Sequence, residues 1–117
     1  MILIYVAFGG ALGAVLRYLL AGLVAFPMGT LMVNVAGSFL MGVAFAALLA
    51  GTVQPRFAAA LMPGLLGGFT TFSAFSLDVV RLVEDGRIAF AGSYVALSVV
   101  ASILACFAGL ALARSVI

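Results

Sequence analysis

Four long apolar runs, separated only by short polar segments, make up nearly the whole chain. They cover roughly residues 2–25, 30–50, 57–80 and 88–113. Each run has the length of about 20 residues that a helix needs to cross a hydrocarbon core about 30 Å thick. Since 68% of the 117 residues are hydrophobic and only 7% are charged, a water-soluble fold could not cover this much apolar surface. The sequence therefore predicts an all-α integral membrane protein with one domain of four transmembrane helices.

The arginines outside the apolar runs give no preferred orientation in the membrane. With four crossings, both termini and the second loop share one side, which carries Arg56 and Arg114. The first and third loops share the other side, which carries Arg81 and Arg87. Because loop arginines usually decide which way a membrane protein inserts, this balance permits insertion in both directions. It allows an antiparallel homodimer with its two-fold axis in the membrane plane, although a charge-poor chain could show the same balance without pairing.

The third run contains an unusual segment, GLLGGFTTFSAF, at residues 64–75. Its adjacent glycines disfavour a helix, Pro63 just before it removes one helical hydrogen bond, and its threonine hydroxyls can bond freed backbone groups. Together these features predict that the third helix is broken at its centre. Such a break survives at membrane depth only where protein buries it or where it lines a wet cavity, and its carbonyls can coordinate a cation. The alternative is a continuous helix with a glycine-rich packing face.

Polar side chains recur at helical spacing in two other runs. Asn34 and Ser38 lie four residues apart in the second run, and Tyr94, Ser98 and Ser102 recur every four residues in the fourth. Residues at i and i+4 share one face of a helix, so the last three predict a hydrogen-bonding stripe. Hydroxyls and an amide, without a paired acid and base, suit a small desolvated solute. The alternative for Asn34 is a hydrogen bond that joins two helices.

Arg17 is the only charged side chain before Arg56. A charged group inside a membrane span is costly and tends to be functional. At about 1.5 Å per residue, Arg17 lies roughly 13 Å from Phe26, which favours a wet vestibule where it would attract an anion. The alternative is a side chain that snorkels to the membrane boundary.

The sequence contains few other side chains that could serve catalysis or proton coupling. Histidine is absent and Cys106 is the only cysteine, so no Ser/His/Asp or Cys/His set can be assembled, and we expect no enzyme. A small multidrug-type proton-coupled transporter would need a membrane-embedded carboxylate. The acids Asp78, Glu84 and Asp85 gather at or beyond the end of the third run, which argues against that alternative.

Three motifs resemble those of one known family. GGALGAVLR, GTLMVNVAGSFLMG and GLLGGFTTFSAFS are similar, in this order along the chain, to the motifs of the Fluc/CrcB fluoride channels. The resemblance implies a passive fluoride channel in the bacterial inner membrane that exports fluoride and so protects the cell from its toxicity. It also implies an antiparallel dual-topology homodimer in the lipid bilayer, with two pores and one central structural Na⁺.

The resemblance also implies roles for individual residues. Main-chain carbonyls of Gly67 and Thr70 would hold the Na⁺, and Arg17 would lie in the vestibule. The fluoride pathway would be lined by Asn34, Phe72, Ser73, Phe75, Tyr94, Ser98 and Ser102. Phe72 and Phe75 share a helix face, and the positive edge of a phenyl ring attracts an anion weakly, although packing is the usual role of such a pair.

Two positions depart from the family pattern. Ala74 stands where the family commonly has threonine, and Asp78 where it usually has glutamate. The first leaves one hydroxyl fewer beside the phenylalanine pair. We expect the second to concern only the end of the third helix.

Overall fold

The computed structural model describes residues 1–117, which are helical apart from short connections. In chain order the elements are α1 (Ile2–Ala21), α2 (Met28–Leu49), α3 (Pro55–Ala59), a π-helical segment (Ala60–Leu66), α4 (Gly67–Phe69), α5 (Phe72–Glu84) and α6 (Ile88–Val116). Four stretches are long and apolar enough to cross a membrane, namely α1, α2, the third crossing (Pro55–Glu84) and α6. The prediction of an all-helical chain with four such helices is confirmed.

Helix ends differ by a few residues from the ends of the apolar runs. The first helix ends at Ala21 rather than near residue 25, because the residues after it form turns although they remain apolar. The third crossing continues to Glu84 and the fourth to Val116. Apolar composition marks what the bilayer can hold, whereas backbone hydrogen bonds decide where a helix stops.

The backbone of the third crossing departs from α-helical geometry at two places. Ala60–Leu66 is π-helical and contains Pro63, whose missing N–H and bulky ring disfavour a regular α-helix. After α4 the backbone is extended, with φ −84° and ψ 150° at Thr70 and φ −149° and ψ 126° at Thr71. Gly67 keeps helical dihedrals. The irregular backbone therefore lies on the two threonines and not on the glycines before them.

The threonine hydroxyls bond to backbone groups on both sides of this irregular segment. Thr70 Oγ1 donates to the carbonyl of Leu66 at 2.9 Å, which satisfies a group at the end of the preceding helix. Thr71 Oγ1 accepts from the Ala74 amide at 3.1 Å, as an N-cap residue does at the start of a helix. Thr71 thus defines where α5 begins.

Glycines let α1 approach the third crossing at backbone distance. A Cβ at Gly68 would lie 2.6 Å from the Gly10 carbonyl oxygen, and one at Gly13 would overlap the carbonyl oxygen of Leu65. The glycine-rich packing face considered as an alternative is therefore present. In this chain the glycines allow close packing of two backbones, and the backbone is extended at the threonines.

The second close helix pair is α2 with α6. A Cβ at Gly42 would overlap the carbonyl oxygen of Cys106, and a Cβ at Gly109 would overlap that of Phe39. Only 21 of the 117 residues are buried within one chain. Packing inside the chain therefore depends on a few close backbone contacts, while most large apolar side chains face outwards, as expected where the surroundings are lipid or another chain.

We predict that Gly109→Ala destabilises the protein by about 1–3 kcal/mol, because the added methyl group overpacks the contact between α2 and α6. Gly92→Ala is the matched control on the same helix, since a Cβ there meets nothing within 4 Å. Thermal denaturation in detergent measures both. Equal melting temperatures for the two variants would contradict the close contact at Gly109.

Candidate functional site

A cavity of about 310 Å³ lies where α2, the extended threonines, α5 and α6 meet. We call it the central cavity. Its lining residues are Asn34, Ser38, Thr70, Thr71, Phe72, Phe75, Ser98, Val99, Ser102 and Ile103. The structure thus brings together five of the seven side chains expected to form a solute pathway, and Ser73 and Tyr94 lie outside this lining.

Asn34 joins α2 to the extended segment through two hydrogen bonds with one residue. The Thr71 amide donates to Asn34 Oδ1 at 2.8 Å, and Asn34 Nδ2 donates to the Thr71 carbonyl at 3.0 Å. The NH₂ group has a second N–H, which makes no hydrogen bond within the protein. Both interpretations of this residue are therefore compatible with its position: it links two elements, and it has a donor left on the wall of the central cavity.

Two carbonyls at the extended region lose their usual helical hydrogen bonds. In a continuous helix the Thr71 and Ala74 amides would donate to the carbonyls of Gly67 and Thr70. Here the Thr71 amide bonds Asn34 Oδ1, and the Ala74 amide bonds Thr71 Oγ1. No side chain donates to either oxygen, and the Thr70 carbonyl accepts no backbone hydrogen bond. These are the two carbonyls that the family resemblance assigns to a cation.

The hydroxyl of Ser98 has no partner in the protein. Its side chain is only 5% exposed, and its Oγ makes no hydrogen bond, although Tyr94 precedes it by one helical turn. A buried polar group without a partner costs about 1–3 kcal/mol. Because Ser98 lines the central cavity, a polar occupant there would relieve this cost.

The two phenylalanines occupy different surroundings. Phe75 is buried, whereas the Phe72 side chain is 76% exposed. Their ring centroids lie 5.5 Å apart, and Phe75 is 5.4 Å from the Tyr94 ring. Phe72 therefore forms a projecting edge of the central cavity, and Phe75 forms part of its floor.

Asp78 is buried inside α5, which corrects the expectation that it concerns only a helix end. Its side chain is 6% exposed, and its Oδ2 accepts a hydrogen bond of 3.1 Å from the Tyr94 hydroxyl. The helix continues to Glu84, and Phe75, Asp78 and Leu82 form its buried face. Their spacing of three and four residues is the signal in the sequence that could have placed Asp78 inside.

The burial of Asp78 also bears on the proton-coupled alternative. The third crossing does contain a buried carboxylate, so the absence of such a group cannot exclude a proton-coupled transporter. In the structure that carboxylate is bound to Tyr94, at the end of the predicted polar stripe on α6. Tyr94 thus bonds to α5 rather than lining the central cavity.

Ser73 does not line the central cavity but is hydrogen-bonded to Thr71, which does. Its side chain is exposed, and its Oγ lies 3.2 Å from Thr71 Oγ1. It therefore extends the hydrogen-bonded group at the start of α5 towards the surface of the chain.

Arg17 is half-buried and binds the backbone beside the extended segment. Its Nε donates to the Gly68 carbonyl at 3.2 Å. It also lines a second cavity of about 300 Å³ between α1, the first loop, the start of α2 and one face of α5. We call this the outer cavity. Thr71 lines both cavities, so the two lie on either side of this residue.

Cation ligands in this region would be backbone oxygens rather than a cluster of side chains. No group of three or more His, Cys, Asp or Glu residues is placed to hold a metal ion. Free carbonyl oxygens are hard ligands that suit alkali cations at broken membrane helices. One chain offers Gly67 and Thr70 for this purpose, which is fewer than the usual coordination of such an ion requires.

Comparison with known proteins gives consistent matches over nearly the full length. Residues 4–110 match the family described as "CrcB-like protein, Camphor Resistance (CrcB)". A "Fluoride-specific ion channel FluC" of Cereibacter sphaeroides is 53% identical over 119 residues, which cover 96% of this chain and 94% of the relative. Proteins of the same name from Rhodospirillum centenum and a Chelativorans species are 54% and 53% identical, with at least 94% of each chain covered.

These relatives are bacterial, and the chain has four helices of membrane-spanning length. It is therefore a multi-pass bacterial membrane protein. The resemblance first found in three sequence motifs is confirmed, and the chain belongs to the CrcB family.

Proposed function

We propose that this protein is a channel through which fluoride leaves the cell passively across the cytoplasmic membrane. The observation that carries the proposal is the lining of the central cavity, where six of ten residues carry a hydroxyl or an amide and none carries a charge. Neutral donors bind an anion without holding it tightly, as conduction requires. Among them, the Ser98 hydroxyl lacks a protein partner. The relatives' printed names supply the identity of the anion.

The proposal extends to an antiparallel homodimer with two pores. The central cavity is open along the edge formed by Phe72, which is 76% exposed, so one chain provides only part of a pathway wall. A second, inverted copy would cover this edge, and the even distribution of loop arginines permits the inversion. Each pore would then combine neutral donors with the positive edges of phenylalanine rings.

The proposal also includes one structural Na⁺ at the centre of the dimer. The carbonyls of Gly67 and Thr70, which lose their usual helical hydrogen bonds, support it, since two copies related by a two-fold axis would supply four oxygens. This arrangement requires the third crossing to be interrupted at membrane depth, and the extended backbone at Thr70 and Thr71 supports that interruption. A bound cation would add positive potential near the pores without a lysine or arginine in their walls.

The alternative is a small multidrug-type proton-coupled transporter, which differs from a channel in its mechanism. It would couple protonation of Asp78 to substrate movement, whereas a channel needs no proton gradient. The relatives' names do not favour this alternative.

The first prediction tests the proposed activity itself. Purified protein in fluoride-loaded vesicles should release fluoride when a potassium ionophore dissipates the membrane potential, and it should retain chloride under the same conditions. An ion-selective electrode measures the release. Fluoride movement that occurs only with an imposed proton gradient would favour the coupled transporter, and no movement would contradict both.

The second prediction concerns the aromatic edge. Phe72→Ile and Phe75→Ile should each slow fluoride release about two- to tenfold, because a lost aromatic contact is worth about 0.5–1.5 kcal/mol. Phe107→Ile is the matched control, since Phe107 is exposed on α6 and does not line the central cavity. If all three variants conduct like the unchanged protein, the rings take no part in the pathway.

The third prediction concerns the cation. Replacing Na⁺ by Cs⁺ at constant ionic strength should lower both the rate of fluoride release and the melting temperature, because a ligand that binds only the folded state stabilises it. The effect on melting temperature should saturate with Na⁺ concentration. A melting temperature that depends on ionic strength alone would contradict a specific site at Gly67 and Thr70.

A further inference from the structure

Arg81 and Phe26 stand together at the mouth of the outer cavity. The Arg81 guanidinium carbon lies 4.4 Å from the centroid of the Phe26 ring, a distance typical of a cation–π contact. Both residues line this cavity, together with Arg17. Arg81 lies ten residues beyond Thr71, about 15 Å along the helix. The outer cavity therefore extends from Arg81, which is exposed near the end of α5, towards Arg17 and Thr71.

Arg81 forms no ion pair with the acids near it on the chain. Asp78 and Glu84 lie three residues before and after it, where a helix would allow an ion pair. No carboxylate lies within 4.0 Å of any arginine in the protein. Asp78 lines the same outer cavity, but its Oδ2 accepts from the Tyr94 hydroxyl, and Arg81 stacks on Phe26. An unpaired cation at the mouth of a cavity attracts anions more strongly than a neutralised one.

We propose that Arg81, positioned by Phe26, sets the rate at which anions reach the outer cavity from the membrane surface. The inference rests on the proposed function, because it concerns the access route to the same pathway. Arg81 does not touch the ion during its passage through the central cavity. It raises the local anion concentration at the mouth, and Phe26 prevents it from pairing with Asp78, Glu84 or Asp85.

The chain contains a matched control for this role. Arg87 lies in the loop that follows α5, and its guanidinium carbon is 4.3 Å from the centroid of the Phe90 ring. It thus has the same charge and the same kind of aromatic contact as Arg81. It does not line the outer cavity. Removing either charge changes the net charge of the protein equally, so only the position differs.

The test compares fluoride release from vesicles carrying the full-length protein, Arg81→Gln, Arg81→Lys or Arg87→Gln. Fluoride is kept low so that arrival of the ion limits the rate. At low ionic strength Arg81→Gln should release fluoride about three- to tenfold more slowly than Arg87→Gln. Arg81→Lys should recover most of the rate because it restores the charge.

The dependence on salt separates attraction from a structural role. Raising ionic strength from about 0.01 M to about 1 M with an impermeant salt shortens the Debye length from about 30 Å to about 3 Å. The difference between Arg81→Gln and Arg87→Gln should then disappear. A difference that persists at high salt would overturn the proposal, because it would reflect altered structure.

Phe26→Leu tests the positioning of Arg81. It removes the aromatic face but keeps every charge, so it should resemble Arg81→Gln at low salt and the unchanged protein at high salt. An unchanged rate in Phe26→Leu would overturn the role given to that ring.

The outcomes also distinguish this inference from the proposed function. If the unchanged protein conducts fluoride and Arg81→Gln matches Arg87→Gln at both salt concentrations, the access role is wrong and the channel remains. If the unchanged protein releases no fluoride, both proposals fail.

Discussion

The pair of hydrogen bonds between Asn34 and the backbone of Thr71 is the interaction on which the rest of the site depends. It redirects the Thr71 amide away from the Gly67 carbonyl and holds the chain extended at this residue. Thr71 can then cap α5 with its own hydroxyl, which leaves the Thr70 carbonyl free. One side chain from α2 therefore stabilises the extended backbone and takes the Thr71 amide away from the Gly67 carbonyl. Without such partners, extended backbone in lipid would cost several kcal/mol for each unsatisfied group.

Close backbone packing offsets the free-energy cost of the extended segment in a chain with few buried residues. The glycines of α1 and α4 bring the first and third crossings together, and those of α2 and α6 do the same for the other pair. Each pair packs closely with few large buried side chains. The extended threonines lie where the two pairs meet, so the central cavity has walls from both.

The two cavities differ in the charge of the side chains that line them. Neutral hydroxyls and an amide line the central cavity, and arginines line only the outer one. An anion is attracted most strongly by a full positive charge, but it would also be retained there. Arginines beside a wet cavity and weak donors inside the protein would therefore suit both capture and release. Asp78 also lines the outer cavity, where the Tyr94 hydroxyl binds its Oδ2 and no arginine lies within 4.0 Å of it.

The sequence by itself determined the number of crossings, the family and most of the cavity lining. Hydrophobicity is a property of each segment, and Asn34, Phe75, Ser98 and Ser102 follow from motif and helical spacing. Only the tertiary structure decided which backbone groups are paired, and that the glycines pack while the backbone is extended at the threonines. Those outcomes depend on partners from other helices, as with Asn34 and Thr71, which lie 37 residues apart in the chain. No local pattern specifies such a contact, because the competing helical hydrogen bond is equally available until the two helices have packed.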